Sequence, residues 1–271
     1  MIDYGVDELI SVCIARQIPD GVMVAQGIAT PLVAAGYLLA KGTHAPNLLF
    51  ASAIGQGICA DWAPLGIARI EALWLDKALL TLGFARAASE ALPRLKPLEF
   101  FRPAQMEANG NFNNFAIGQD YRRPRLRLPG SGGIPDVTTF DEHVCLYVPR
   151  HSRVTFVEQV DFVSGLGHSP QRARGRGPRY LVTDLGQFDF AEGRMRLTTL
   201  HPGVSVAQAQ SKTGFPLAVA PDLRETPPPT PEELRLLREA IDPLGVRKLE
   251  LLGGAARKEL LRDILTKEAA A

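Results

Sequence analysis

An early strand–helix–strand pattern constrains this chain most. Val22-Met23-Val24-Ala25 is a short apolar run after the Asp20-Gly21 turn, and residues 47–53 (NLLFASA) form a second one. Between them Thr30 and Pro31 mark a helix start: Thr is a good cap, and Pro suits the first helical position, where its missing N–H costs nothing. The helix is expected to end near Lys41-Gly42. Leu32, Val33, Tyr37, Leu38 and Leu39 make it apolar on almost every face, so it should be buried. Two strands joined by such a helix form a right-handed parallel crossover. The fold class follows: α/β, with a mainly parallel sheet flanked by helices. In such sheets ligands bind where strands end and loops begin, which singles out residues 26–31 and 52–64.

The remaining pattern is consistent with this. Asp7 to Arg16 has helical spacing, and residues 67–88 read as mainly helical. Strands are expected at Leu98–Phe101, Arg125–Leu128, Val144–Val148, Val154–Val160 and Tyr180–Thr183. A hairpin over Gln187–Leu200 should turn at Glu192-Gly193. Thr226 opens a stiff proline-rich lead into a helix capped by Thr230 and opened by Pro231. Ala255–Ala271 reads as an amphipathic helix with Leu260, Leu261, Ile264 and Leu265 on one stripe. The expected organisation is one α/β domain over residues 1–253 and a C-terminal helix over 254–271.

Composition narrows the partners. With 30 Lys+Arg against 29 Asp+Glu, there is no global charge to attract nucleic acid or an anionic membrane. No apolar stretch approaches the length of a membrane span, and the acidic N-terminus is not a signal peptide. Cys13, Cys59 and Cys145 show no CxxC pairing, so neither a disulfide framework nor a zinc site is expected. A reducing, cytoplasmic compartment fits.

Several loops carry residue types suited to chemistry. Gly130-Ser131-Gly132-Gly133 follows a strand-like run. Its N–H groups suit an anion or oxyanion, and its glycines equally suit a tight turn. Residues 109–114 (NGNFNN) hold four asparagines, which fit either an amide ligand or left-handed turn geometry. Arg122, Arg123, Arg125 and Arg127, and separately Arg172, Arg174, Arg176 and Arg179, form clusters that suit phosphates or simply face solvent. His44, His143, His151, His168 and His201 show no metal-ligand spacing, and no metal is expected.

The order of the stretches GIATPL (27–32), HAPNLL (44–49), GNFNNFAIG (110–118), PGSGG (129–133), FVEQVDFVSGLG (156–167), LVTDLGQFDF (181–190), LHPGV (200–204), Thr213-Gly214-Phe215 and Ile241-Asp242-Pro243 resembles the β-type subunit of class I CoA-transferases of the glutaconate CoA-transferase kind. The resemblance implies an open α/β fold, an α-type partner subunit and an acyl-CoA thioester as substrate. Coenzyme A enters as part of that substrate, with no permanently bound cofactor. It implies that Gly27, Asn111, Asn113, Gly132 and Gly133 line the acyl or oxyanion region. It also implies a glutamate of the β-type chain that attacks the thioester from the end of the second strand. There this sequence has Ala51-Ser52-Ala53. A methyl group cannot attack, so hydrolysis or C–C cleavage of a CoA ester is expected rather than CoA transfer. This is similar to the steroid ring-opening hydrolase branch, whose carboxylate would come from the α-type partner. Two alternatives are transfer through a relocated nucleophile, with Ser52, Cys59, Asp61 and Glu107 as candidates, and a non-catalytic acyl-CoA-binding subunit. A decarboxylase branch places a cysteine where this chain has Ala53.

Overall fold

The computed structural model describes residues 3–27, 30–52, 57–68, 76–170 and 172–270. The chain divides into two compact units, Met1–Glu99 with Pro228–Ala271, and Phe100–Pro227.

In the first unit, helix α1 (Val6–Ala15) precedes β1 (Met23–Gln26), α2 (Pro31–Thr43) and β2 (Leu49–Ser52). Then come β3 (Gly57–Cys59), β4 (Ala78–Thr81) and the first two residues of β5 (Leu98–Phe101). The strand order is β5-β1-β2-β3-β4. β1 runs parallel to β2 and to β5, which is the expected crossover unit, while β3 and β4 extend the edge antiparallel. Strand β4 corrects the helical reading of residues 67–88, and β3 corrects the reading of 52–64 as pure loop. Both are short apolar runs, for which periodicity does not separate strand from helix or loop. Residues 69–75 of the first stretch and 53–56 of the second lie outside the described residues.

Helix α2 starts at Pro31 as expected, but Thr30 does not cap it. The Thr30 hydroxyl turns back to the Gly27 carbonyl. The first turn is instead satisfied by Glu250, which accepts from the Leu32 N–H at 3.0 Å. A carboxylate is well placed there, against the positive end of the helix. Further along α2, the buried Tyr37 hydroxyl donates to the carbonyls of Ala25 (3.1 Å) and Leu98 (3.5 Å), so it touches β1 and β5 at once.

The C-terminal segments return to this unit. Arg247, 2% exposed, meets Asp7 (2.8 Å), Glu8 (3.1 Å) and Asp242 (2.8 Å), which locks α1 to the chain's end. Thr230 and Glu233 form a reciprocal cap on the helix opened by Pro231. The terminal helix Gly254–Ala270 buries Ile264, half-buries Leu260 and Leu261, and leaves Leu265 exposed. Its Glu268 accepts from the N–H groups of Ile67 and Ala68, fixing the helix on its own chain.

The second unit begins with two short hairpins. β6 (Gln105–Met106) pairs with β7 (Phe112–Asn113), and β8 (Ala116–Ile117) pairs with β9 (Leu126–Arg127). Its sheet orders β14-β13-β12-β11-β10, from β10 (Val144–Val148), β11 (Tyr180–Thr183), β12 (Gly186–Ala191), β13 (Arg194–Leu200) and β14 (Ala218–Glu225). β10–β11 and β13–β14 are parallel, and the β12–β13 hairpin turns at Glu192-Gly193, both in left-handed geometry. Met106, Phe112, Leu146, Phe156, Leu181, Phe188 and Leu197 centre the core. Residues 154–160 form no strand. Their backbone donors go elsewhere: Val157 to the Met106 carbonyl and Val160 to the Glu107 carboxylate.

Two histidines are buried inside this unit. His151 stacks on Phe156 and contacts the Thr183 and Thr213 hydroxyls. His201 lies between the Thr226 hydroxyl and the Thr183 carbonyl. Burial, with a smaller contribution from Lys212, pushes His151 down to about 3. Burial also brings His201 to about 4, against a smaller opposing effect of the Thr183 carbonyl. Among the described residues no helix is long and apolar enough to cross a membrane.

Two outcomes follow. Arg247→Met should destabilise the chain by about 3–5 kcal/mol, because it leaves the buried Asp7 and Asp242 without their cation, while Glu8 keeps Arg238. Chemical denaturation measures this, and a loss below about 1 kcal/mol would show the cluster to be dispensable. Because both histidines are depressed in the folded state, the unfolded chain binds more protons at mildly acidic pH. Their stabilising effect is complete above about 6.5 and is lost as pH falls toward 4, by roughly 1.4 kcal/mol per histidine per pH unit. Denaturant midpoints at pH 7 and pH 5 should differ accordingly, and equal midpoints would contradict the buried neutral imidazoles.

Candidate functional site

Ala51 lies inside β2, buried, between Ala25 of β1 and Ile58 of β3. Laterally paired residues point to the same face of a sheet, so Ala25, Ala51 and Ile58 form one row. The next member of the row is Glu99, which pairs with Ala25 from β5. The row therefore reads Glu99, Ala25, Ala51, Ile58. Two methyl groups occupy its centre, and a half-buried carboxylate stands at one end.

The other candidates of this unit fall around the row. Gly27 follows β1, half-buried. A Cβ at that position would lie 4.0 Å from Glu99 Oε1 and 3.9 Å from Thr30 Cγ2, so the glutamate head reaches the end of β1. The backbone of Ser52 ends β2 opposite Gln26 and Gly57; its side chain, like Ala53, lies outside the described structure. Cys59 pairs with Phe50, one step along from the Ala51–Ile58 pair, so strand alternation turns it to the opposite face. Burial pushes its thiol up, away from the reactive thiolate. Asp61 is exposed two residues beyond β3.

In the second unit the asparagine turn is an internal clamp. Asn113 is fully buried. Its amide donates to Gln105 Oε1 (2.8 Å) and the Ala116 carbonyl (2.6 Å), and its Oδ1 accepts from the Phe115 N–H (2.9 Å). Asn111 donates to Glu107 Oε2 (3.0 Å) and accepts from the Gly167 N–H (2.8 Å). Glu107 in turn accepts from the Val160 N–H (3.0 Å). Asn114 accepts from the Ala104 N–H and donates to the Arg102 carbonyl. Each side chain thus stitches the 102–118 segment to itself or to residues 157–167.

The glycine loop differs in character. Gly132 and Gly133 are exposed, and Gly132 takes a left-handed φ of +50. A Cβ on either would meet nothing within 4 Å, so at Gly132 conformation rather than crowding favours glycine. The arginine clusters divide. Arg172 reaches the carbonyls of Leu166, Gly167, Thr138 and Arg174, which makes it a loop brace. Arg127 lies over the stacked rings of Phe115 and Tyr121, while Arg122, Arg123 and Arg125 are exposed.

Three residues are absent from the sequence-derived candidates. Glu99 is the charged residue inside the strand-like LEFF run, and that break in an apolar strand is its one signal. Gln105 and Asp161 bridge β6, Gly118 and Asn113, and only the fold reveals that they meet. Because Asn113 is spent on internal bonds, Asn113→Ala should cost about 2 kcal/mol through buried partners left unpaired. Urea denaturation of the variant checks this, and an unchanged midpoint would mean that the amide is free for other work.

A family model described as Coenzyme A transferase matches residues 8–211. Among curated relatives, the B-type chain of 3-oxoadipate CoA-transferase from Pseudomonas knackmussii is 31% identical, over 87% of this chain and 92% of its own length. The cholesterol ring-cleaving hydrolase IpdB subunit of Mycobacterium tuberculosis is 30% identical, over 82% of this chain and 88% of its own. Among solved structures, the decarboxylase AibA/AibB superposes with a TM-score of 0.80 at 29% identity, covering 93% of this chain and 100% of that one. With its parallel strands, its asparagine clamp and a family match over most of its length, the chain belongs to the Coenzyme A transferase family.

Proposed function

We propose that this chain is the β-type subunit of a cytoplasmic heteromer that acts on an acyl-CoA thioester, and that the reaction is hydrolysis or C–C cleavage of the CoA ester. The single observation behind this reading is Ala51. It is held in β2 between Ala25 and Ile58 and offers only a methyl group where the family resemblance calls for an attacking glutamate. Removal of a nucleophile costs on the order of 10⁴–10⁶ in rate, so thioester exchange through this position is closed. An α-type subunit is the expected partner, consistent with relatives that are themselves named as subunits. Coenzyme A is part of the substrate, and no permanently bound cofactor is invoked. Gly27 and the exposed Gly132-Gly133 turn remain the positions proposed to approach the acyl group, with Asn111 and Asn113 supporting them from within the loop.

A second reading, CoA transfer through a relocated carboxylate, is favoured by one observation: Glu99 occupies the same row as Ala51. The two readings separate in one experiment. The chain is co-expressed with the α-type subunit of the same source. The complex is then given acetyl-, butyryl- and glutaryl-CoA with and without free acetate or succinate. Release of free CoA thiol, or of a shortened acyl-CoA seen by mass spectrometry, without need of the added carboxylate is the expected result. Appearance of the acceptor's CoA ester would reject hydrolysis in favour of transfer.

A further inference from the structure

We infer that the β8–β9 hairpin and the turn between its strands hold the nucleotide end of the CoA substrate, with Arg122, Arg123, Arg125 and Arg127 taking its phosphates and Tyr121 its purine ring. The inference rests on the acyl-CoA reading above and adds to it the place where this chain grips the part of the substrate that does not react.

Charge is concentrated on this hairpin. Four arginines and one aspartate fall within residues 115–128 of a chain whose formal charge is only +1. Asp120 is spent on the turn itself, where its Oδ1 accepts from the Arg122 backbone N–H at 2.9 Å. Arg122, Arg123 and Arg125 are exposed, and among the described residues no hydrogen bond or ion pair engages their guanidinium groups. The second arginine cluster is different, because three of its four members are in use. Arg172 braces the carbonyls of Leu166, Gly167, Thr138 and Arg174, Arg174 lies over Phe140, and Arg179 bonds Cys145. Two runs that are alike in sequence thus become, in the fold, a set of braces and a set of unengaged cations.

The hairpin also carries an aromatic surface and is held rigidly. The Arg127 guanidinium lies 5.1 Å from the Phe115 ring centre and 5.2 Å from that of Tyr121, whose planes are 3° from parallel. It donates to the Tyr121 carbonyl at 3.0 Å, which draws it to the turn that carries Arg122 and Arg123. Tyr121 keeps 58% of its surface accessible, a flat ring beside the cations. Ala116 pairs with Arg127 and Ile117 with Leu126, the Gly118 N–H is fixed by Asp161 Oδ2 at 2.7 Å, and the Phe115 N–H is fixed by Asn113 Oδ1. The asparagine clamp therefore serves to present this hairpin.

The ligand follows from the chemistry. Guanidinium forks match phosphate oxygens, and aromatic rings stack on bases. The nucleotide of CoA offers a 5′-diphosphate, a 3′-phosphate and a purine together. Its other end is accounted for in the same unit. The Leu128 N–H donates to the Phe115 carbonyl at 3.0 Å and the Gly130 N–H to the Asn114 carbonyl at 3.1 Å, so the hairpin runs directly into the glycine loop. Gly132 lies five residues beyond Arg127, a span of at most about 18 Å of chain. An extended pantetheine arm bridges such a gap, which lets one ligand reach both the hairpin and the Gly132-Gly133 turn.

Calorimetry on the co-purified heteromer tests this without requiring turnover, with CoA, dephospho-CoA and ATP as probes. The triple variant Arg122→Ala, Arg123→Ala, Arg125→Ala should bind CoA about 10–100-fold more weakly than the native complex. Native complex should bind dephospho-CoA more weakly than CoA, because the 3′-phosphate is missing. With an acyl-CoA that the native complex turns over, the variant should raise KM and leave kcat unchanged, while Arg174→Ala and Arg176→Ala should change neither. The substituted side chains are exposed, and circular dichroism verifies that the variants fold. Equal CoA affinity in the native and triple-variant complexes would overturn the role of the hairpin and leave the acyl-CoA reading standing. ATP bound as tightly as CoA, with the same dependence on the arginines, would overturn the assignment to CoA in favour of a free nucleotide. No binding of CoA by the native complex would overturn both the hairpin's role and the acyl-CoA reading.

Discussion

Parallel pairing of β1 with β2 and β5 is the constraint on which the candidate site depends. It aligns Glu99, Ala25 and Ala51 in one lateral row and brings Gly27 to its edge. A slip of one residue in either pairing would turn that row to the other face of the sheet. The pairing is held by buried neighbours: Val24, Phe50 and Leu98 are almost wholly withdrawn from water, and α2 packs its apolar length in the same unit. What the site presents is therefore decided by register, and the nature of each side chain along the row then decides the chemistry.

Much of this is legible without coordinates. The β1–α2–β2 unit, strands β5, β10 and β11, the β12–β13 hairpin and the Thr230 cap all lie where turn residues and apolar runs place them. Strands β3 and β4 are not, because three- and four-residue apolar runs carry no usable period. Residues 154–160 mislead in the other direction. Their Val-rich run has the composition of a strand, but its donors are claimed by Met106 and Glu107, and such tertiary competition leaves no local trace. The helix start at Pro31 is marked locally, while its carboxylate partner, Glu250, lies more than two hundred residues away and has no local mark.

The site residues divide in the same way. The resemblance implies an acid where this chain has Ala51, and that expectation is drawn from the sequence alone. The place of Glu99, two strands from Ala51 in the same row, is not legible, because a charge in a short strand gives no hint of which residue pairs with it. The asparagine turn is rich in possibilities as a sequence. In the fold its amides bind Gln105, Glu107, Arg102 and the 157–167 segment, so the same residue type that suits a ligand serves here to hold irregular backbone in place.

Tyr37 carries a consequence of its own. Its hydroxyl rests on the carbonyls of Ala25 and Leu98, one within the row and the other just before Glu99. The same helix is anchored at its first turn by Glu250 from the opposite end of the chain. A rotation of α2 would thus be felt as a change in spacing between two strands and in the aim of a carboxylate. Substitutions near Glu250 can therefore reach the Glu99–Ala25–Ala51 row through a helix rather than by direct contact, a remote screw on the spacing of the strands that carry it.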